Sequence, residues 1–287
     1  MTLSVEAMDA LLNTIIPPVD AQPYFRGMIY GAEGSTKTVT ACSVGESVLL
    51  IETDPEGWVS LLNHPDIYRK VTRMKFEGLS QIEALALGCN DPRFDKFDTF
   101  VIDTSSQMVG HDLDVVTASR LKRKKIEEEV PDWPAYRLNQ NRVRRAITSL
   151  VATAHKHVVL TSHARHEKDK AGVIRLTPDM PQAVRNDLTR VCHLVGYLTA
   201  DVVQTDQGVR YRRKMQVHPT RLITAKSRIG GLPVVIDNPN LGEIVNHWLK
   251  SGLTLIDEVD PVPEVEGVLG DLDLTTASPE LSGESDD

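Results

Sequence analysis

Residues 26–38, RGMIYGAEGSTKT, decide the fold. The first six, apolar and β-branched or aromatic at their centre, predict a strand. The run Gly31, Ala32, Glu33, Gly34, Ser35, Thr36, Lys37, Thr38 nearly matches the pattern G-x-x-x-x-G-K-[ST], with Thr36 in the place of the last glycine. That pattern has a mechanism. Small residues let successive backbone N–H groups point inward at an anion. A lysine reaches the β- and γ-phosphates of a nucleotide and a hydroxyl reaches Mg²⁺. A helix starting near Thr38 adds its positive end. A strand-turn-helix with an incidental lysine is the plain alternative. Thr36 stands where a backbone without Cβ is usually wanted, which predicts a rearranged loop or weaker and slower nucleotide use.

Outward from this stretch the pattern alternates. VEAMDALLNTII predicts a short amphipathic helix ended by Pro17 and Pro18. SVLLIET, DTFVIDT and KHVVLTSHA are continuous apolar strands of the kind buried on both faces. SLLNHPDIY and LSQIEALALG read as helical, and RLNQNRVRRAITSLVATA as a long helix with Val143, Ile147, Leu150 and Val151 on its apolar face. VCHLVGYLTADVVQ and GVRYRRKMQV predict two strands joined near residues 206–208. RLITAKS predicts a last strand, and LGEIVNHWLKSG a closing helix stopped by Gly252. The fold class is therefore α/β: a mostly parallel twisted sheet covered by helices on both faces, with a late antiparallel β addition. The organisation predicted is an N-terminal helical segment over 1–23, one domain over 24–252 and a tail over 253–287.

Four further places carry chemistry. The strand FVIDT ends in Asp103, where a carboxylate serves a Mg²⁺ shell, and hydroxyls of Thr104, Ser105 and Ser106 follow. Between it and the loop, ETDPEG sets Glu52, Asp54 and Glu56 at a strand end. A carboxylate there, within one water of a γ-phosphate, orients the attacking water. Glu56 is the first choice and Asp54 the second; a solvated acidic turn is the alternative. His163 ends the next buried strand, where a polar side chain can touch the γ-phosphate; a strand-capping histidine is the competing reading. Residues 164–186 after it read as a long charged loop with little structure. In TAKSR, Lys226 and Arg228 lie two apart on a strand and so point the same way. Such a pair can reach a neighbouring subunit's nucleotide, or be a surface pair.

Two basic segments suit a single nucleic-acid strand, which wants cations for phosphates and rings for bases. One holds Lys122, Arg123, Lys124 and Lys125, then Trp133, Tyr136, Arg142, Arg144 and Arg145; the intervening IEEEVPD offsets it, so a solvated helix competes. The other holds Arg165, His166, Lys168, Lys170, Arg175 and Arg185.

Taken in order, GAEGSTKT, IETDPEG, FDTFVIDT, HVVLTSH and TAKSR resemble the RecA-like P-loop ATPase core, in particular the short single-domain ATPases encoded by phages and linked to recombination and single-strand annealing. WPAY at 133–136 and RLTPDMP at 175–181 also resemble that group. The likeness covers roughly residues 24–250. It implies a RecA-type fold, ATP and Mg²⁺ bound between adjacent subunits, and a DNA-related role in the cytoplasm of a bacterial host. By position it implies that Lys37 and Thr38 bind phosphate and metal, Asp103 serves the metal, Glu56 or Asp54 positions water, His163 senses the γ-phosphate, and Lys226 with Arg228 act in trans. The implied partners are single-stranded DNA, further copies of the chain as a ring or filament, and a single-strand-binding or other recombination protein. A helicase-type motor and a nucleotide-gated assembly protein without DNA binding are the competing functions.

Composition sets the bounds. The chain has 287 residues, 41% of them hydrophobic, enough for a large core. No apolar run approaches the roughly 20 residues that span a bilayer. Three dispersed cysteines, Cys42, Cys89 and Cys192, argue against a disulfide framework and suit a reducing compartment. Of the net charge of −8, eleven negative charges fall within residues 257–287, which have no Lys or Arg, leaving the first 256 residues at +3. That tail reads as disordered; it solubilises the chain, competes with nucleic acid for the basic surface, or docks a partner.

Overall fold

A computed structural model of the chain describes residues 24–123, 130–168, 172–205 and 208–251. The expected helix within 1–23 and the acidic tail lie outside them, as do Lys124, Lys125 and Lys170. Among the described residues ten strands form the sheet: β1 (Arg26–Gly31), β2 (Val48–Glu52), β3 (Val71–Lys75), β4 (Thr99–Asp103), β5 (His157–Lys168), β6 (Ile174–Pro178), β7 (Leu194–Thr205), β8 (Gly208–Gln216), β9 (Lys226–Ser227) and β10 (Val235–Asp237). Their order is β10-β8-β7-β1-β5-β4-β2-β3. From β7 to β3 every neighbouring pair is parallel. β8 and β10 add antiparallel strands at one edge, β9 pairs antiparallel with β7, and β6 pairs antiparallel with the far end of β5. This is the α/β class expected, with the antiparallel addition late in the chain.

The helices are α1 (Lys37–Cys42), α2 (Pro65–Tyr68), α3 (Leu79–Gly88), α4 (Ser105–Lys122), α5 (Trp133–Thr153), α6 (Gln182–Val191) and α7 (Leu241–Ser251). A strand's side chains alternate between faces, and the core divides accordingly. Met28, Tyr30, Leu49 and Ile51 face one cluster, completed by Ile82 of α3, Met108 of α4, Leu188 of α6, and Val143, Ile147 and Leu150 of α5. Ile29 and Leu50 face the other, with Val39 of α1 and Leu241, Ile244 and Val245 of α7. The apolar face predicted for the long helix is the face buried. Each fully buried aliphatic side chain there contributes roughly 1.5–3 kcal/mol, so Ile147→Ala would cost about 2–5 kcal/mol. Asp132 starts α5 by accepting the Ala135 N–H at 2.9 Å, with Pro134 in the first turn where no N–H is missed.

The segment after His163 is not the unstructured loop expected. β1 pairs with β5 only as far as Gly31 opposite His163. Beyond that, β5 pairs with β6 as a hairpin, Ala164 opposite Pro178 through Lys168 opposite Ile174, and α6 follows. On the first leg Arg165, His166, Glu167 and Lys168 are polar in succession, so no period of two shows in the sequence. The predicted last strand shortens to Lys226–Ser227. Five elements, β3, β6, β10, α4 and α6, are ones the sequence pattern did not single out.

Candidate functional site

The loop between β1 and α1 is shaped by three residues. Gly31 admits no side chain, because a Cβ would lie 2.2 Å from the Leu198 carbonyl oxygen of the adjacent strand. Gly34 turns at φ 72°. Thr36 also sits in the left-handed region, at φ 63° and ψ 30°. That is the conformation the missing glycine would have taken freely; for a β-branched residue it costs on the order of 1–3 kcal/mol. The Thr36 hydroxyl is buried without a hydrogen-bond partner. The departure from the phosphate-loop pattern is thus tolerated in backbone shape and concentrated in one strained residue.

Lys37, Thr38 and Asp103 converge at the strand ends. Lys37 Nζ donates to the Gly31 and Ala32 carbonyl oxygens at 3.2 and 2.7 Å. Burial lowers its pKa, against the pull of Asp103. Thr38 Oγ1 donates to Asp103 Oδ2 at 2.7 Å, and the Thr161 hydroxyl donates to Oδ1 of the same carboxylate. Asp103 is only 3% exposed, and burial raises its pKa despite both hydrogen bonds. Gly57 leaves room for it: a Cβ there would stand 3.0 Å from Asp103 Oδ2.

Lys37, Thr38, Gly57 and Asp103 line one cavity of about 340 Å³ together with Asp54, Ser60, Gln107 and His163. Of the acidic cluster, Asp54 is on the wall; Glu56 is exposed and its N–H donates to Asp54 Oδ1 at 3.3 Å. Glu52 is engaged elsewhere. Both its oxygens accept from Arg73, whose guanidinium lies 3.6 Å from the Trp58 ring centroid. Glu33, Gly34 and Thr36 also reach the cavity wall, while Ala32 is exposed and Ser35 is buried with its hydroxyl on the Ala32 carbonyl oxygen at 2.7 Å. Sequence reasoning missed Gln107, Ser60 and Thr161. A threonine inside the apolar run HVVLTSH was the available signal for the last.

A hard, oxygen-only pair, one carboxylate and one hydroxyl facing a phosphate loop, fits Mg²⁺, which takes few protein ligands and keeps waters and phosphate oxygens. Among the described residues no cluster of three or more His, Cys, Asp or Glu could hold a metal by itself.

Lys226 and Arg228 do not line that cavity. They do point the same way: Lys226 Nζ donates to the Thr189 and Arg190 carbonyl oxygens at 2.6 and 2.9 Å, and Arg228 to that of Arg190 at 2.8 Å. Cations suit these end carbonyls of α6, which have no partner within the helix. Lys226 lines a second cavity, of about 720 Å³, with Lys168 and Arg175 of the hairpin and Arg185 and Arg190 of α6. Arg185 is buried and bound to Thr177 and Glu167. Arg165 is exposed on the hairpin, and Lys122 and Arg123 are exposed at the end of α4. Arg142 pairs with Asp112, itself 2% exposed, at 2.9 Å. Arg144 and Arg145 pair with Asp187 and Glu83. Trp133 is 74% exposed.

The fold and this strand-end site define the class, an α/β domain with a phosphate-type loop. The chain belongs to the AAA domain family (AAA_24), whose model matches residues 24–229. No curated protein matches it. Among solved structures it is similar to the flagellar accessory protein FlaH from Methanocaldococcus jannaschii, at 12% identity and a TM-score of 0.37 over 76% of this chain and 87% of that one. It is also similar to the RadB recombinase, at 11% identity and a TM-score of 0.42 over 80% and 91%. No helix among the described residues is long and apolar enough to cross a membrane.

Proposed function

We propose that the chain is an ATPase that binds ATP with Mg²⁺ in the 340 Å³ cavity and acts on single-stranded DNA as an oligomer, in phage recombination or strand annealing. The observation that carries the nucleotide part is the meeting of Lys37, the Thr38–Asp103 pair, Asp54 and His163 on one cavity wall beyond β1. Thr38 and Asp103 would hold the metal, which when bound supplies charge to draw electron density from the phosphate oxygens. Lys37 is the cation for the phosphate chain. Asp54, rather than Glu56, is the carboxylate placed to orient water.

The DNA part rests on the exposed cations of the hairpin, Arg165 and Lys168, and on Lys122 and Arg123. The trans role of Lys226 and Arg228 requires them to leave the α6 carbonyls when a second copy docks. A protein-assembly role for the same ATPase is the competing reading. ATPase rate measured with and without single-stranded DNA, over a series of protein concentrations, separates them. Stimulation by DNA and a rate per chain that rises with concentration support the proposal. Turnover indifferent to DNA removes the DNA part, and no ATP binding removes the whole.

A further inference from the structure

His163 is the last residue of β5 held in the main sheet, and the first that faces the charged hairpin. Its side chain lines the nucleotide cavity. Its backbone is gripped from the other side. The His163 N–H donates to Ser106 Oγ at 3.0 Å, and the His163 carbonyl oxygen accepts the Asp179 N–H at 2.8 Å. Ser106 Oγ in turn donates to the Asp179 carbonyl oxygen at 2.9 Å and lies 3.0 Å from Ser162 Oγ. Asp179 directly follows β6. One hydroxyl therefore closes the base of the hairpin on both of its legs.

That hydroxyl stands on the first turn of α4, between two residues of the cavity wall, Thr104 and Gln107. The turn is itself fixed to the metal-side carboxylate. Ser105 Oγ donates to the Thr161 carbonyl oxygen at 2.6 Å, and the Thr161 hydroxyl donates to Asp103. A shift of Thr104, Gln107 or His163 against a phosphate chain must move Ser106, and Ser106 cannot move without pulling on Asp179.

We infer that Ser106 is a positioning residue that couples occupancy of the nucleotide cavity to the β5–β6 hairpin. The inference rests on the nucleotide reading given above. It adds that the cationic hairpin is the element regulated, through a hydroxyl that touches neither ligand. Coupling carried by a hydrogen-bonded chain of this kind is a difference between two arrangements of the same contacts.

The test uses the full chain. Hydrogen exchange of amides in residues 164–178 is followed without nucleotide and with a non-hydrolysable ATP analogue plus Mg²⁺, in the wild type, Ser106→Ala and Ser106→Thr. Nucleotide affinity is measured alongside. The wild type should show hairpin exchange slowed by nucleotide. Ser106→Ala should bind nucleotide within about twofold of the wild type and lose about fivefold or more of that slowing, the scale of one hydrogen bond. Ser106→Thr, which keeps the hydroxyl, should restore it. Loss of affinity and slowing together in both variants would mean a structural role and overturn the inference. Full slowing in Ser106→Ala, or none in a wild type that does bind nucleotide, overturns it while the nucleotide reading stands. A wild type that binds no nucleotide overturns both.

Discussion

The Thr38 hydroxyl and the Asp103 carboxylate, 65 residues apart in the chain, are joined by a 2.7 Å hydrogen bond. The bond ties α1, which follows β1, to the end of β4, although β1 and β4 are not neighbours in the sheet because β5 lies between them. It sets the hydroxyl and carboxylate oxygens side by side at the mouth of the phosphate-type loop. Replacing Asp103 with Asn should abolish the Mg²⁺ dependence of nucleotide binding, read as equal affinities with magnesium and with chelator. Persistent magnesium enhancement would remove Asp103 from the metal.

Lys37→Ala should weaken ATP binding by at least about tenfold, since a charge-assisted hydrogen bond is worth roughly 1.5–3 kcal/mol. The thermal midpoint should change little, because Lys37 bonds only carbonyls of its own loop. Titration calorimetry beside a melting curve checks both halves. Unaltered affinity would refute the loop assignment.

Thr36→Gly should stabilise the chain by about 1 kcal/mol. Relief of a left-handed β-branched residue and of an unpaired buried hydroxyl outweighs the added freedom of glycine when unfolded. A lower melting temperature would show that the threonine is stabilising where it stands.

Asp54→Asn should lower the turnover number by about 10²-fold or more, the usual range for a lost general base, with ATP affinity retained. Glu56→Gln, on an exposed residue off the cavity wall, should leave turnover near that of the wild type. The reverse result would restore Glu56 as the water-positioning group.

Stability should fall on acidification between about pH 6.5 and about pH 4. His193 Nδ1 accepts the Arg26 N–H at 3.1 Å, a bond open only to the neutral ring. Burial, and then Arg26, Arg228 and Lys226, lower its pKa from 6.5 to about 4. The unfolded chain binds that proton first, so the contribution is complete above pH 6.5 and is lost as pH falls through the folded value. His157, which accepts the Phe25 N–H at 2.9 Å, is shifted in the same direction. Melting temperatures of the wild type and His193→Gln across this range check it: the variant should show the shallower slope.

The buried strands and the long helix were legible because runs such as VLLIE and FVID have no alternative to a sheet covered on both faces. The loop was legible from its spacing. The hairpin was not. Its first leg is polar in succession from Arg165 to Lys168 and its second exposes Ile174 beside Arg175, with cations on both legs, so no period of two shows. The choice between Asp54 and Glu56 was also out of reach. Both follow β2 within four residues, and only the turn into Gly57 sends one to the wall and the other to solvent. Arg142 looked free in a basic run, yet its partner Asp112 lies 30 positions earlier on another helix. Sequence spacing carries no information about such a pairing.

β1 lies between β5 and β7, and both of its neighbours are made long after it. Gly31 pairs with His163 on one side and Leu198 on the other. As the chain leaves the ribosome, the glycine-rich turn therefore lacks its first sheet neighbour until His163 is made and its second until Leu198. Contacts this distant in sequence make for slow folding. The cavity's lining is complete only once His163 is made, and a product stalled before it would carry the motif without the pocket.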